Sequence, residues 1–274
     1  MDDTGYKERY VAFLDILGFA DLTQRADNSP NWRAWLRSCI DALNTTVPRQ
    51  MDSVGFRFVQ FSDSIVMSAD RTPNGLDALF RAVSMLYRNM LTRGILLRGG
   101  VAAGNFHHDE NMMFGPALVK AYSFEKSGAP PHIGLHEHVL EDMKPSLVAQ
   151  GGLNHWLTYD PFDLTPILHV LLDFALYDGI PSAGKEVLEE PSFYLARDIE
   201  ATASNMAISP AARAKWRWVQ HYWNQTVALR GILPQSSPTI DWNMAWNRLK
   251  SGEEARLEQY RLAEGGGVKP PPSA

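Results

Sequence analysis

Two short apolar stretches, each holding a single aspartate, most constrain how this chain can fold. The first, residues 11–19, contains Asp15, and the second, residues 56–67, contains Asp63. The apolar run before Asp15 predicts a buried strand that ends at this carboxylate and is followed by a helix. The second stretch predicts two strands joined by a tight turn, with Asp63 at the tip of the hairpin.

A metal and phosphate site follows if these two strand ends are neighbours in one sheet. Carboxylate oxygens are the ligands that Mg²⁺ and Mn²⁺ prefer, and these ions share their coordination with substrate phosphates. Gly18 and the helix after it would place backbone N–H groups beside Asp15, where they can hold phosphate. We therefore predict a site for a divalent cation and a nucleotide at this edge of the sheet.

The order of elements predicts an α+β fold. Up to about residue 150 the predicted order is strand, helix, strand, strand, helix, strand. This is the split βαβ order of ferredoxin-like and palm-like domains, with an antiparallel sheet. We expect this domain to span residues 1–150, and a mostly helical extension to span residues 151–263, with residues 167–177 as a buried helix. Residues 264–274, rich in glycine and proline, predict a disordered tail.

The composition argues against several classes of partner. The net charge is −5 and the basic residues are dispersed, so we expect no nucleic-acid partner and no anionic membrane partner. Cys39 is the only cysteine, which excludes an internal disulfide and favours a reducing compartment. The polar first nine residues do not resemble a secretory signal, so we expect a cytoplasmic protein.

Over residues 10–145 the chain resembles the class III nucleotidyl cyclases, and most closely the pyrimidine cyclases of bacterial Pycsar anti-phage defence. Four segments carry the resemblance: FLDILGF (13–19), FSDSIV (61–66), LRGGVAAG (97–104) and GPALV (115–119). The resemblance implies conversion of UTP, or less favoured CTP, to the 3′,5′-cyclic mononucleotide and pyrophosphate. It also implies a homodimer with shared active sites, and a separate effector that reads the cyclic nucleotide.

The resemblance assigns roles to residues around Asp15 and Asp63. These two aspartates would hold two Mn²⁺ or Mg²⁺ ions, and Ile16 would add its backbone carbonyl. The residues that would cradle the triphosphate are Leu14, Leu17, Gly18 and Phe19.

The chain departs from the adenylate cyclases at the positions that stabilise the transition state. The usual asparagine and arginine of the helix after the fourth strand are Val119 and Ser123 here. Another cation would have to replace them, and the candidates are Arg98, Lys120 and Lys126. A catalytically weak, cyclase-like module that binds a nucleotide and signals is the alternative function.

The base-reading positions also differ. The lysine that selects adenine is Val59 here, and its acidic partner lies close to Met112. Arg57, two residues before Val59, would share its strand face and could bind a pyrimidine carbonyl. These substitutions favour a pyrimidine substrate.

Simpler interpretations of the same residues remain open at this point. Asp15 could be a helix N-cap, Asp63 an ordinary turn residue, and Arg98 a surface cation on an edge strand. Residues 107–110 (HHDE) predict a solvated loop, and we expect no transition-metal site there or at the histidines at 132, 136 and 138.

Overall fold

The computed structural model describes residues 5–109, 112–126, 130–148, 153–171 and 191–230. Within these ranges the chain forms nine strands and seven α-helices. The strands are β1 (Lys7–Ile16), β2 (Gln50–Met51), β3 (Phe56–Phe61), β4 (Ser64–Asp70), β5 (Leu97–His108), β6 (Met113–Phe114), β7 (Ile133–Leu135), β8 (Leu157–Tyr159) and β9 (Pro166–Leu168). The helices are α1 (Phe19–Asn28), α2 (Pro30–Thr46), α3 (Pro73–Leu91), α4 (Pro116–Lys126), α5 (Glu137–Val148), α6 (Pro191–Ser204) and α7 (Pro210–Arg230).

The strand order confirms the predicted α+β fold. The sheet runs β2-β3-β4-β1-β5-β7-β9-β8, and β6 pairs with β5 outside this path. Its centre, β3-β4-β1-β5, is antiparallel throughout. Because β1 lies between the second strand of the hairpin and β5, this is the split βαβ arrangement. It places the end of β1 against the hairpin turn.

Helix boundaries follow local sequence signals. Ser29 separates α1 from α2, and its side chain caps α2 by accepting a hydrogen bond from the Trp32 amide. Thr72 caps α3 in the same way, through the Gly75 amide. Gly94, with φ 76°, reverses the chain after α3.

The two faces of the sheet pack against different helices. On β1 the even-numbered side chains, among them Ala12 and Leu14, enter the large core with α2 and α3. The odd-numbered Val11 and Phe13 face α4 instead, in a smaller apolar cluster. The Phe124 ring of α4 packs against glycines of β5 and β7. A Cβ atom at Gly100 of β5 would lie 2.1 Å from the Phe124 ring. Asp15, being odd-numbered, belongs to the α4 face.

The sheet continues past residue 150. β9 pairs with β7, and β8 pairs with β9, so this part of the chain extends the same sheet. The predicted buried helix at residues 167–177 is wrong at its start, because Ile167 and Leu168 belong to β9. Helices α6 and α7 do follow, as the helical extension predicts. The division into domains at residue 150 stays a prediction, and the predicted tail at 264–274 lies outside the described residues.

No helix in the described ranges combines the length and the apolar character needed to cross a bilayer.

The predicted loop at residues 107–110 is wrong at its start, because His107 and His108 end β5 and pair with β6. The His108 ring turns inward, with Nδ1 2.8 Å from the Ser68 hydroxyl. Its Nε2 is buried and makes no hydrogen bond in the described structure. Ser68 also accepts a hydrogen bond from the buried Arg9 side chain, which pairs with Asp70.

The burial of His108 predicts acid sensitivity. Burial, reinforced by Arg9 and Arg57, lowers the pKa of His108 from 6.5 to about 4. Between these two pH values the unfolded chain therefore binds more protons than the folded chain. We expect the contribution of His108 to the free energy of unfolding to be level above pH 6.5 and to fall as the pH drops through this window. His108→Gln should flatten this dependence in urea unfolding curves measured at several pH values.

His107 provides the matched control for this measurement. The Gly5 carbonyl and then Asp109 raise the pKa of His107, so any contribution it makes is present at low pH and is lost as the pH rises. His107→Gln should therefore keep the fall of the unfolding free energy between pH 6.5 and about pH 4. If the same fall persists in His108→Gln, the acid sensitivity does not come from His108.

Candidate functional site

Asp15 and Asp63 lie at adjoining ends of the sheet. Asp15 pairs with Ser64, the first residue after the hairpin turn, and the Ile16 amide donates to the Asp63 carbonyl at 3.1 Å. Ser62 enters the turn with φ 56°, which closes it in two residues. The structure therefore brings the two predicted metal ligands to neighbouring backbone positions.

Arg98 joins this pair from the other side. It is the cross-strand partner of Asp15 on β5, and its Nε and one terminal nitrogen each lie 3.2 Å from Asp15 Oδ2. Both side chains are largely buried, with 14% of Asp15 and 18% of Arg98 exposed. The interpretation of Arg98 as a surface cation on an edge strand is wrong, because β5 lies between β1 and β7.

The donor set fits a hard divalent cation. Two carboxylates from adjoining strand ends supply oxygen ligands of the kind Mg²⁺ and Mn²⁺ take. Asp63 is partly exposed, and its carboxylate has no hydrogen-bond or ion-pair partner in the described part of the chain. Asp15 is held by Arg98, so a bound cation has to share this carboxylate with the guanidinium or displace it.

The start of α1 forms the phosphate side of the site. Gly18 is the N-cap of α1, with φ 77° and ψ 17°, and no side chain caps the first turn. The N-cap interpretation of Asp15 is therefore wrong. Leu17 donates its amide to the Leu96 carbonyl at 2.9 Å, and Phe19 packs partly against the core. Among the four predicted triphosphate residues, Leu14 differs because its side chain is fully buried on the opposite face from Asp15.

The base-reading candidates lie along the same face but farther from Asp15. Val59 lies in the same cross-strand row as Phe13, and this row is two residues along β1 from the row of Asp15. The Val59 side chain is partly exposed. Arg57 lies two residues beyond, about 13 Å from Asp15 along the strand, and pairs with Asp52 at 3.1 Å. Met112 precedes β6 and is 54% exposed. The structure does not place Met112 beside Asp15 within one chain.

Helix α4 carries the other candidates. Val119 is 68% exposed, and the Ser123 hydroxyl donates to the Lys120 carbonyl at 2.7 Å. Lys120 is partly exposed, and its charge acts on His136 at the start of α5. Lys126 is the last residue of α4. Arg98 is thus a predicted cation that contacts Asp15, whereas the side chain of Lys126 lies outside the described part of the structure.

Two further residues accompany Asp15 that sequence reasoning missed. Phe61 lies in the cross-strand row of Ser64, Asp15 and Arg98, on the same face, and is 77% exposed. Phe61 alternates with Arg57 and Val59 along β3, and this period of two residues could have placed it on their face of the sheet. Lys215, on α7, is close enough for the charges of Arg98 and Asp15 to act on it. No sequence signal links Lys215 to Asp15, because 200 residues separate them.

A second cluster of side chains of the kinds that ligate metals lies at the start of α5. Donor atoms of His136, Glu137 and His138 lie within 4.8 Å of one another, although the sequence predicted no metal site there. The His136 ring accepts the His138 amide, and His138 Nδ1 lies 3.3 Å from Glu141. Burial, followed by the charge of Lys120, lowers the pKa of His136. This charge and the N-terminal end of α5 both oppose a cation here.

No family model and no curated protein matches the sequence. Among solved structures, the chain is similar to a bacterial light-regulated adenylyl cyclase, with a TM-score of 0.36 and 15% identity. That similarity covers 50% of this chain and 45% of the light-regulated cyclase. The chain is also similar to an adenylate/guanylate cyclase/hydrolase from Silicibacter pomeroyi, with a TM-score of 0.37 and 19% identity over 60% of this chain and 94% of that chain.

Proposed function

We propose that this protein is a nucleotidyl cyclase that forms a 3′,5′-cyclic pyrimidine mononucleotide, with UTP favoured over CTP. The observation that carries this proposal is the adjacency of Asp15 and Asp63 beside the uncapped N-terminus of α1. A carboxylate pair next to free helix N–H groups combines a cation site with a phosphate site. Pyrophosphate release from a nucleoside triphosphate needs both.

The reaction is an intramolecular phosphoryl transfer. The ribose 3′-oxygen bonds to the α-phosphorus in line, the bond from that phosphorus to the leaving pyrophosphate breaks, and the hydroxyl proton passes to solvent. The protein mainly positions the reacting groups and stabilises charge. The first-turn amides of α1, from Phe19 onward, would hold phosphate oxygens, and Arg98 would offset charge at the α-phosphate once Asp15 turns to a cation.

Asp15, Asp63 and the Ile16 carbonyl would hold Mn²⁺ or Mg²⁺. When bound, such ions lower the pKa of the attacking hydroxyl and neutralise the leaving phosphates.

The preference for a pyrimidine rests on the β3 face. Val59 presents no hydrogen-bonding group to a base, which disfavours the purine contact made at this position in the adenylate cyclases. Arg57 is on the same face, one third exposed, and offers N–H donors to a pyrimidine carbonyl. Its present partner, Asp52, is exposed, so this ion pair is weak enough to rearrange.

Exposed apolar side chains support a second copy of the chain against the α4 side of the sheet. Phe61 and Val119 are both on this side and are 77% and 68% exposed. A homodimer would cover them and bring base-reading residues such as Met112 from the partner. The proposed role as the messenger synthase of an anti-phage system, with a separate effector and a cytoplasmic location, rests on the resemblance of the sequence.

The direct test is incubation of the purified protein with Mn²⁺ and each of the four ribonucleoside triphosphates, followed by mass analysis of the products. We expect cyclic UMP and pyrophosphate from UTP, with less product from CTP. Products from ATP or GTP alone would contradict the pyrimidine assignment.

The same assay separates the alternative function. Val119 and Ser123 supply no charged group at the usual transition-state positions, which favours a module that binds a nucleotide without turnover. Tight triphosphate binding with no cyclic product after long incubation would support that module and contradict the cyclase.

A further inference from the structure

The last described helix, α7, is anchored beside the strand that carries Arg98. A buried carboxylate, Asp160, lies 3.0 Å from His132 Nδ1 and accepts a 2.8 Å hydrogen bond from the Trp218 indole of α7. The His132 carbonyl in turn accepts a hydrogen bond from the Gly99 amide at 3.0 Å. Since Gly99 follows Arg98 in β5, these contacts fix the first half of α7 near the Asp15 end of the sheet.

A second contact fixes the helix farther along. The Tyr222 hydroxyl, fully buried on α7, lies 2.8 Å from His169 Nδ1, and the Trp218 and Tyr222 rings lie 5.2 Å apart. Trp218 and Tyr222 are one turn apart, so this face of α7 is turned toward the sheet. Lys215 lies one turn before Trp218 on the same face.

Lys215 is therefore held at the edge of the Asp15 site. It is partly buried, and its ammonium group has no hydrogen-bond or ion-pair partner in the described part of the chain. Burial, followed by the charge of Arg98, lowers its pKa, whereas Asp15 acts in the opposite direction. Lys215 is thus a second cation, beside Arg98, whose charge is within range of Asp15.

We propose that Lys215 binds the polyphosphate of the substrate, so that a helix outside the predicted catalytic domain completes the active site of the same chain. This inference rests on the proposed function. A polyanion is the ligand that fits, because a protonated ammonium group cannot ligate a metal, and Lys215 has no counter-ion of its own in the described part of the chain. A triphosphate entering over Asp15 would pair with Lys215 and Arg98 together.

The test is titration calorimetry with the full-length chain and Mn²⁺, using two probes. The first probe is 3′-deoxy-UTP, which lacks the attacking hydroxyl and stays intact, and the second is inorganic tripolyphosphate. We expect Lys215→Met to weaken both probes by about tenfold or more, since hydrogen bonds to charged groups contribute this much. Lys215→Arg should restore most of the affinity, because it restores the charge.

Arg217→Met is the matched control. Arg217 is on the same helix but is exposed, so its loss should change neither affinity. Thermal melts of all variants would confirm that the fold is kept, which separates a binding role from a structural one.

Each contrary result has a distinct meaning. If the parent protein binds the probes and Lys215→Met binds them equally well, the Lys215 inference fails while the proposed function stands. Loss of affinity for 3′-deoxy-UTP but not for tripolyphosphate would also overturn a phosphate-binding role. If the parent protein binds no triphosphate with Mn²⁺ present, both the proposed function and the Lys215 inference fail.

Discussion

Asp15→Asn is expected to lower the rate of cyclic nucleotide formation by about a thousandfold or more. The amide keeps the shape of the side chain and one oxygen that can accept from Arg98, but it loses the negative charge that a divalent cation requires. Asparagine is a sharper choice than alanine, because alanine would also leave the largely buried Arg98 without its 3.2 Å partner. The measurement is the initial rate of product formation, with products identified by mass.

Asp41→Asn controls for the loss of a carboxylate. Asp41 is an exposed residue of α2 that faces Arg37 at 3.9 Å, so its replacement should leave the rate unchanged. Asp63→Asn should reproduce the Asp15→Asn defect. Full activity in either site variant, with a normal melting temperature, would rule out the proposed two-aspartate site.

Asp160→Ala is expected to cost about 3–5 kcal/mol of unfolding free energy, the range for removing one partner of a buried charged network. Asp160 is 2% exposed, and its carboxylate engages the His132 ring, the Trp218 indole and the Phe162 amide. The substitution would leave the buried His132 ring and Trp218 indole without this acceptor. Chemical unfolding followed by tryptophan fluorescence would measure the loss.

Asp163→Ala is the matched control in the same turn. Asp163 is exposed and caps the Thr165 amide at 2.9 Å, so we expect a loss of about 1 kcal/mol or less. If Asp160→Ala unfolds at the same denaturant concentration as Asp163→Ala, the carboxylate does not anchor α7.

The centre of the fold was predictable because its signals are local. A buried apolar run ending at Asp15 and a two-residue turn at Asp63 fix β1 and the hairpin from neighbouring residues alone. The order of elements then leaves few ways to assemble the sheet. For the same reason the adjacency of Asp15 and Asp63 could be anticipated.

The rest depends on contacts between distant segments. The three-residue strand β9 carries no pattern that separates it from the start of a buried helix, and its pairing with β7 decides the matter. The sequence does not show that β7 pairs with the far side of β5, so Arg98 could be interpreted as a cation on an edge strand. Lys215 is held near the site by contacts of α7 with Asp160 and His169, and no spacing in the sequence links these residues to α7.

The anchoring of α7 by Asp160 has a thermodynamic corollary. If the docked helix raises the affinity for a triphosphate through Lys215, then a bound triphosphate must strengthen helix docking by the same factor. Nucleotide occupancy would thus be transmitted along α7 to whatever follows Arg230, and a force or partner acting on that distal end would tune substrate affinity in return.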